Sequence, residues 1–354
     1  MCLFYTVSLI ARIFERGGQA RLIDLDDIEA RNPSKHSHRE EEEKVFIGWG
    51  GRKYTRPSGH HISINPAARD YSHGLIADGN DPDDLIFVPS FRWQCISFVQ
   101  RLGIRWKTMV NLVEDAPFGF PKPLDQGRLN SCSANAVSNL LLYMLKRRAY
   151  ETGREYEKLP QPSRLFIYYN TRVRVMKKSS YDDCGASLRA VCKALSKYHF
   201  CPEGKWPYDD CKFVGKFSVQ PDNQAYHSAQ KVKLTYVKIP KVEYYVLAAL
   251  EEGRPILAGI DLYTRPWQWM ECFHYLPPPL RYEVQNESCQ GHAILICGYD
   301  LKNRVFLAQN SWGEKWGNNG FFYLHFDYIF SKKLGRDLWT FKSVRAGSSG
   351  GGGF

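Results

Sequence analysis

Cys132 opens an apolar run, Val137, Leu140, Leu141, Met144 and Leu145, whose spacing predicts a helix. Ser131 or Asn130 is placed to cap it, which puts the thiol in the first helical turn. Unpaired backbone N–H groups and the positive end of the helix dipole gather there. Both favour the thiolate, the nucleophilic form of cysteine. A cysteine is also a small apolar residue that often does no more than fill a core, so Cys132 alone decides nothing. His292 heads the apolar run Ala293 to Tyr299, which reads as a buried strand, and an imidazole there can carry a proton. Asn310 starts a Gln309-Asn310-Ser311-Trp312-Gly313 turn, and its amide can orient a ring. A thiol, a proton carrier and an orienting amide are parts that acyl transfer through sulfur can use.

Their order and flanking residues narrow the reading. Asp125-Gln126-Gly127 precedes Ser131-Cys132, Gly291-His292-Ala293 follows much later, and the Asn-Ser-Trp-Gly turn continues to Trp316-Gly317 and Gly320. Together these motifs resemble the papain family of cysteine peptidases over a stretch from Asn111 to Thr340, and the resemblance does not reach the first hundred or so residues. It implies an α+β, two-lobed fold: a helical left lobe, an antiparallel β-barrel-like right lobe and an active-site cleft between them. It further implies Cys132 as nucleophile, His292 as its acid and base, Asn310 as the orienting residue and Gln126 in the oxyanion hole. Gly185, Ala186, Gly291 and Trp312 fall at substrate-binding positions, with Trp312 expected over the His–Asn pair. The segment from Phe330 to Leu338 is expected at the base of a pocket for an apolar substrate side chain.

Departures from the family pattern are informative. Ala186 stands where a second glycine is usual, and Gly291 where an aspartate often precedes the histidine. The family usually carries a disulfide between a residue two before the nucleophile and one just ahead of the glycine pair. Those positions hold Asn130 and Asp183, so both halves of the bridge are missing together. This resembles the form found in bacteria and large DNA viruses, and points to an intracellular or virion-associated setting, with an endolysosomal one as the alternative. No disulfide is expected near the nucleophile. A pairing of Cys201 with Cys211 stays open.

The elements that must position these residues change character along the chain. Arg164 to Arg172 reads as helical, and a second helix is expected from Asp183 to Tyr198. From Lys231 the pattern turns to strands: Val232 to Val237, Pro255 to Ile260, Ala293 to Tyr299, Val305 to Gln309 and Phe321 to Phe326, with a short helix from Val242 to Glu251. Trp267 to Gln290 reads as a rim insertion. Asn111 to Val113 is expected as a short strand. Leu85 to Val110 is apolar enough to be a packed helix or the end of a prosegment. Asn32 to Lys44, with Glu40 to Glu43, reads as an exposed linker, and Gly48 to Asp84 as loop-rich. The division expected is an N-terminal extension at 1–110, a peptidase domain at 111–346 and a flexible Gly/Ser tail at 347–354.

With 354 residues and 44% hydrophobic content the chain can bury a large core. Cys2 to Ala11 makes a poor secretory signal, and no run is long enough to span a membrane. The net charge of +11 is uneven: residues 1–115 hold 15 basic and 16 acidic residues, and the remainder 33 and 21. The basic excess reads as solvated surface, because no nucleic-acid signature accompanies it. His36, His38, His60, His61 and His73 read as loop residues and not as metal ligands. Ten cysteines in a chain this long are no disulfide scaffold.

The expected function is a cysteine endopeptidase without cofactor or metal, acting as a monomer on protein or peptide substrates, with no nucleic acid or membrane partner. The alternatives are an exopeptidase or transpeptidase of the same fold, or a catalytically idle binding domain. The extension is expected to modulate the domain, which would make the chain a zymogen, or else to be permanent structure on its back.

Overall fold

Mixed burial along Val232–Lys238 and unbroken burial along Ile256–Leu262 show how the β half is layered. The computed structural model describes residues 73–94, 106–212, 215–263, 274–279 and 289–346, with shorter stretches at 45–47, 53–55, 267, 270 and 284–285. The expected linker at 32–44, the signal-like start, the Gly/Ser tail and His36, His38, His60 and His61 lie outside the described residues, as do parts of 48–110 and of the rim insertion.

In chain order the elements are β1 (Val45–Ile47), β2 (Lys53–Thr55), β3 (Leu75–Ile76), α1 (Phe91–Gln94), β4 (Met109–Asn111), α2 (Leu112–Asp115), α3 (Cys132–Glu151), α4 (Arg164–Tyr169), β5 (Ala186–Ser187), α5 (Leu188–Tyr198), α6 (Asn223–His227), β6 (Val232–Lys238), α7 (Glu243–Glu251), β7 (Ile256–Leu262), β8 (Tyr275–Leu276), β9 (Gln290–Asp300), β10 (Val305–Gln309), β11 (Phe321–His325), α8 (Phe326–Phe330) and β12 (Gly335–Ala346). The main sheet runs β6-β12-β7-β9-β10-β11-β8, with β4 also on β9. Most pairings are antiparallel, and β8 joins β11 in parallel. This is the two-lobed α+β arrangement expected, but among the described residues the sheet has two ends and does not close into a barrel.

β7 is buried along its whole length and β9 nearly so, because α3 crosses one face of the sheet while aromatic side chains fill the other. The β-lobe core gathers Phe306, Phe322, Phe326, Tyr328 and Trp316. The helical lobe has its own core, built on Val137, Leu140, Leu141, Phe166, Leu188 and Leu195. α3 is buried from Cys132 to Leu145 and lies at the seam between the two.

Several expectations need correction. Ser131 holds the N-cap position of α3, yet makes no side-chain capping bond. Its hydroxyl is 2.6 Å from the buried Tyr208 hydroxyl, which competes for it. Asp183 to Ser187 is not helical: Gly185 has φ +77, the chain extends through β5, and the Ser187 hydroxyl caps α5 by accepting from the Ala190 N–H. The entry from Asn111 stops being a strand at that residue, whose side chain caps α2. After Tyr169 the helix widens into a π-turn over Asn170–Val175, where the Asn170 and Thr171 side chains bond back to the Phe166 and Ile167 carbonyls. In 85–110 only Phe91–Gln94 is helical among the described residues, while Phe87 and Trp93 sink into the β-lobe core. Among the described residues the seven cysteines, Cys132, Cys184, Cys192, Cys201, Cys211, Cys289 and Cys297, are free. No helix among the described residues is long and apolar enough to cross a membrane.

Candidate active site

Cys132 begins α3 and His292 lies near the start of β9, so the two lobes each bring one residue to the seam. The backbone N–H groups of Ala293, Ser133, Gly74 and Cys132 itself lie near enough to the Cys132 sulfur to favour its thiolate. Ala293 is the residue next to His292, so the thiol sits beside the start of β9. Asn310 follows β10 directly, held by its N–H to the Gly320 carbonyl at 2.9 Å. Its Oδ1 lies 2.8 Å from His292 Nε2 and also accepts from the Ser311 N–H at 2.8 Å. With Nε2 donating to that oxygen, Nδ1 is the basic nitrogen of a neutral ring. Nδ1 is buried with no hydrogen-bond partner. Trp312 stacks on the imidazole with centroids 4.9 Å apart, and Trp267 and Trp316 lie 4.6 and 4.9 Å from Trp312.

Gln126 is fully buried. Its Nε2 donates to the Leu129 carbonyl at 2.8 Å, its Oε1 accepts from the Ser311 hydroxyl at 2.6 Å, and its N–H donates to the Ser311 carbonyl at 2.8 Å. The Asp125–Gln126 turn and the Asn310–Trp312 turn are thereby clipped together across the seam. Cys132, His292, Asn310, Gln126 and Trp312 thus meet in one buried cluster.

A segment of the N-terminal region lies over this cluster. The His73 ring is 5.6 Å from that of His292 and 4.6 Å from that of Trp267. Gly74 donates its N–H to the Gly291 carbonyl at 3.2 Å and accepts from the Ala186 N–H at 2.8 Å, so it bridges the two walls of the cleft. The approach is close enough that a Cβ on Gly185 would strike the Gly74 carbonyl, and one on Gly74 would strike that of Asn130. β3 then pairs with β5 in parallel, Leu75 opposite Ala186. The Leu75 side chain turns into a recess where Gly259 leaves room, and a Cβ there would come within 2.5 Å of it. Arg336, in the segment expected at the pocket base, donates to the Leu75 carbonyl at 3.2 Å and is paired with Asp261 at 2.5 Å. Gly185, Ala186 and Gly291 therefore line the cleft that β3 occupies.

Acidic residues that follow β3 anchor it. The Asp78 carboxylate accepts from the Arg189 N–H and from Trp339 Nε1 at 2.8 Å, while its own N–H donates to Asp337. Arg189 grips Asp84 with two nitrogens at 2.7 and 2.5 Å. Lys193 pairs with Asp81 at 3.4 Å, and Lys238 with Asp84 at 3.7 Å.

Burial under this cover governs the titrations. Desolvation pushes the Cys132 thiol up to about 11, against the pull of the four backbone N–H groups near it. Desolvation first, then the neighbouring His73, hold His292 down to about 3, opposed by the Asn310 bond. The closed cleft therefore holds a neutral thiol beside a neutral imidazole. The helix-terminus effect expected from position alone is outweighed here by the loss of water.

Sequence reasoning missed His73, Gly74, Leu75 and Gly259, and it named the segment holding Arg336 only for its apolar residues. Gly259 carried a readable signal, since a glycine inside a buried strand marks the close approach of another group. His73 to Leu75 sit in a loop-rich stretch without periodicity, and nothing local marks them. Among the described residues no group of three or more His, Cys, Asp or Glu is arranged to hold a metal ion.

Comparison with known proteins follows the same lines. Residues 174–332 match the family model described as papain family cysteine protease, a span that takes in His292 and Asn310. An uncharacterized peptidase C1-like protein, L477, of Acanthamoeba polyphaga mimivirus is 31% identical over 233 residues, covering 62% of this chain and 70% of that protein. Cathepsin J of Mus musculus is 33% identical over 100 residues, which cover 26% of this chain and 28% of the relative. The fold is similar to xylellain, a cysteine protease from Xylella fastidiosa, with TM-score 0.65 and 29% identity over 80% of this chain and 100% of that one.

Proposed function

Because the chain belongs to the papain family of cysteine proteases, we propose that it hydrolyses peptide bonds through Cys132, His292 and Asn310, as an endopeptidase. One observation carries this reading: His292 bonds Asn310 through Nε2 and keeps Nδ1 unpartnered, while the backbone of the adjacent Ala293 lies near the Cys132 thiol.

With the cleft open to water and substrate, the desolvation that holds both groups neutral is relieved. The Cys132 proton then passes to His292 Nδ1, and the thiolate attacks the scissile carbonyl carbon. The developing oxyanion is stabilised by the Cys132 N–H and by Gln126 Nε2, which the Ser311 and Leu129 bonds hold in place. Protonated His292 gives its proton to the leaving amine as the C–N bond breaks, and a thioester remains on Cys132. Water, deprotonated by His292, attacks the thioester and the thiol is regenerated. Asn310 fixes the ring plane throughout, and Trp312 shields the His–Asn bond from water. The substrate side chain second from the scissile bond enters the recess that Leu75 fills, which favours an apolar group there.

The segment His73–Ile76 is a built-in inhibitor in this reading. Gly74 bonds both walls of the cleft beside the nucleophile, so no substrate can occupy that place while it is docked. Its side of the domain boundary is consistent with a prosegment within residues 1–110 acting on a peptidase domain within 111–346. Hydrolysis of a fluorogenic peptide by purified protein, with Cys132→Ala and His292→Ala as controls, tests the assignment. Both variants are expected to lose activity altogether, and turnover near that of the parent by either would sink it.

A further inference from the structure

Two residues before the nucleophile, Asn130 grips the loop that leads to the cleft edge. Its backbone N–H donates to both oxygens of the Asp183 carboxylate at 3.2 and 3.1 Å, and its side-chain Nδ2 donates to the Asp183 carbonyl at 2.6 Å. The Tyr168 hydroxyl donates to the same carboxylate at 2.6 Å and accepts from the Gly185 N–H at 3.1 Å. Lys212 lies 3.8 Å from the carboxylate and completes its surroundings. Upstream in the loop, Arg172 is wholly buried, stacks on Tyr168 and donates to the carbonyls of Ser180, Asp182 and Phe217.

The two ends of this chain of bonds both touch whatever lies in the cleft. The Asn130 carbonyl backs directly onto Gly74, and Gly185 and Ala186 form the edge that bonds it. A shift of the loop relative to the start of α3 would change the width of the cleft between Cys132 and that edge. We propose that Asn130 and Asp183, braced by Tyr168, are positioning residues for substrate: they set the spacing between the nucleophile and the backbone edge that holds the extended peptide. They do so with hydrogen bonds alone, so the spacing is independent of thiol oxidation. The proposal rests on the peptidase reading given above.

Asp183→Ala removes the acceptor for Asn130 and Tyr168 and leaves Cys132, His292 and Gln126 untouched. The loss reaches substrate only through the spacing of the edge, so it should appear in KM before kcat. The expected result is a KM raised about ten-fold or more, a kcat changed less than about three-fold, and an unchanged rate of Cys132 alkylation by iodoacetamide. Asp183→Asn keeps one acceptor and should recover part of the loss. Hydrogen exchange on the full chain reads the same clamp without catalysis: the Gly185 and Ala186 N–H groups should exchange faster in Asp183→Ala, with the α3 core amides unchanged. Unchanged exchange at 185–186, or an unaltered KM with only a lower Tm, would overturn the proposal. Should Asp183→Ala fail to fold, Asn130→Ala and Tyr168→Phe, which each remove side-chain bonds and little volume, carry the same expectation and the same refutation. A parent protein that hydrolyses no peptide would count against the peptidase reading, and the exchange comparison would still decide the clamp.

Discussion

At the scale of single residues, the roles proposed for the candidate cluster differ in how directly each would act on the reacting bond. Nucleophile and proton carrier work as one unit, so loss of either removes the chemistry, whereas an orienting amide only biases the ring. Asn310→Ala is accordingly expected to retain weak hydrolysis, well above that of Cys132→Ala. The His292–Asn310 pair is shielded by Trp312 and Asn310 Oδ1 also holds the Ser311 N–H, so the loss will include some misplacement of the turn. Gln126→Ala should lower kcat by an amount near that of one oxyanion donor, about 3 kcal/mol of barrier, with KM little changed. Steady-state kinetics on one fluorogenic peptide separates these outcomes. A Gln126→Ala enzyme with unaltered kcat would remove that residue from the oxyanion hole.

Among the elements, the docked segment is expected to respond to pH. His292 is held at about 3 in the closed cleft against an ordinary value near 6.5, by burial first and by His73 second. A depressed histidine supports the closed form in full above about pH 6.5, and that support fades as pH falls toward 3. The groups facing it are Cys132, whose raised pKa keeps it neutral over this range, and His73, whose protonation would add repulsion. Asp78 acts the other way: burial raises its carboxyl, so docking gains from its protonation as pH falls and weakens as pH rises. Acid opening should therefore follow His292, with labelling of Cys132 by a thiol probe accelerating as pH drops below about 6.5, and Asp78→Asn should not abolish it. Labelling that slows monotonically through that range in the folded protein would contradict the argument. The anchor can also be broken directly. Asp84→Ala removes the two-nitrogen grip on Arg189 and the partner of Lys238, and leaves Arg189 the Gly79 carbonyl and the more distant Asp81, so the anchor loosens. Full-length Asp84→Ala is expected to hydrolyse peptide faster at neutral pH, and an unchanged rate would show that Asp84 does not govern docking.

For the whole molecule, the candidate site was legible because Cys132, His292, Asn310 and Gln126 each sit beside a strong local pattern: a helix start, a strand start, a tight turn and a turn before the helix. The strands from Val232 to Gln309 were legible for the same reason, since their burial follows period two or is continuous. Three features were not. The extended β5 depends on Gly185 adopting a left-handed φ, which competes with an otherwise helical pattern. The thiol's titration depends on a cover contributed by residues more than fifty positions upstream. The covering segment itself is irregular, and what fixes it, Arg189, Lys238, Trp339 and Asp337, is scattered through the later chain. The uneven charge did foreshadow this: an acidic stretch from Asp78 to Asp84 docks on basic residues of the domain. The most direct measurement is to react the full-length protein with a peptidyl epoxide in mildly acidic buffer and locate the adduct by mass spectrometry. The expected result is a single adduct on Cys132 that is lost in His292→Ala; adducts spread over Cys184 and Cys211, or formed on Cys132 regardless of His292, would contradict it.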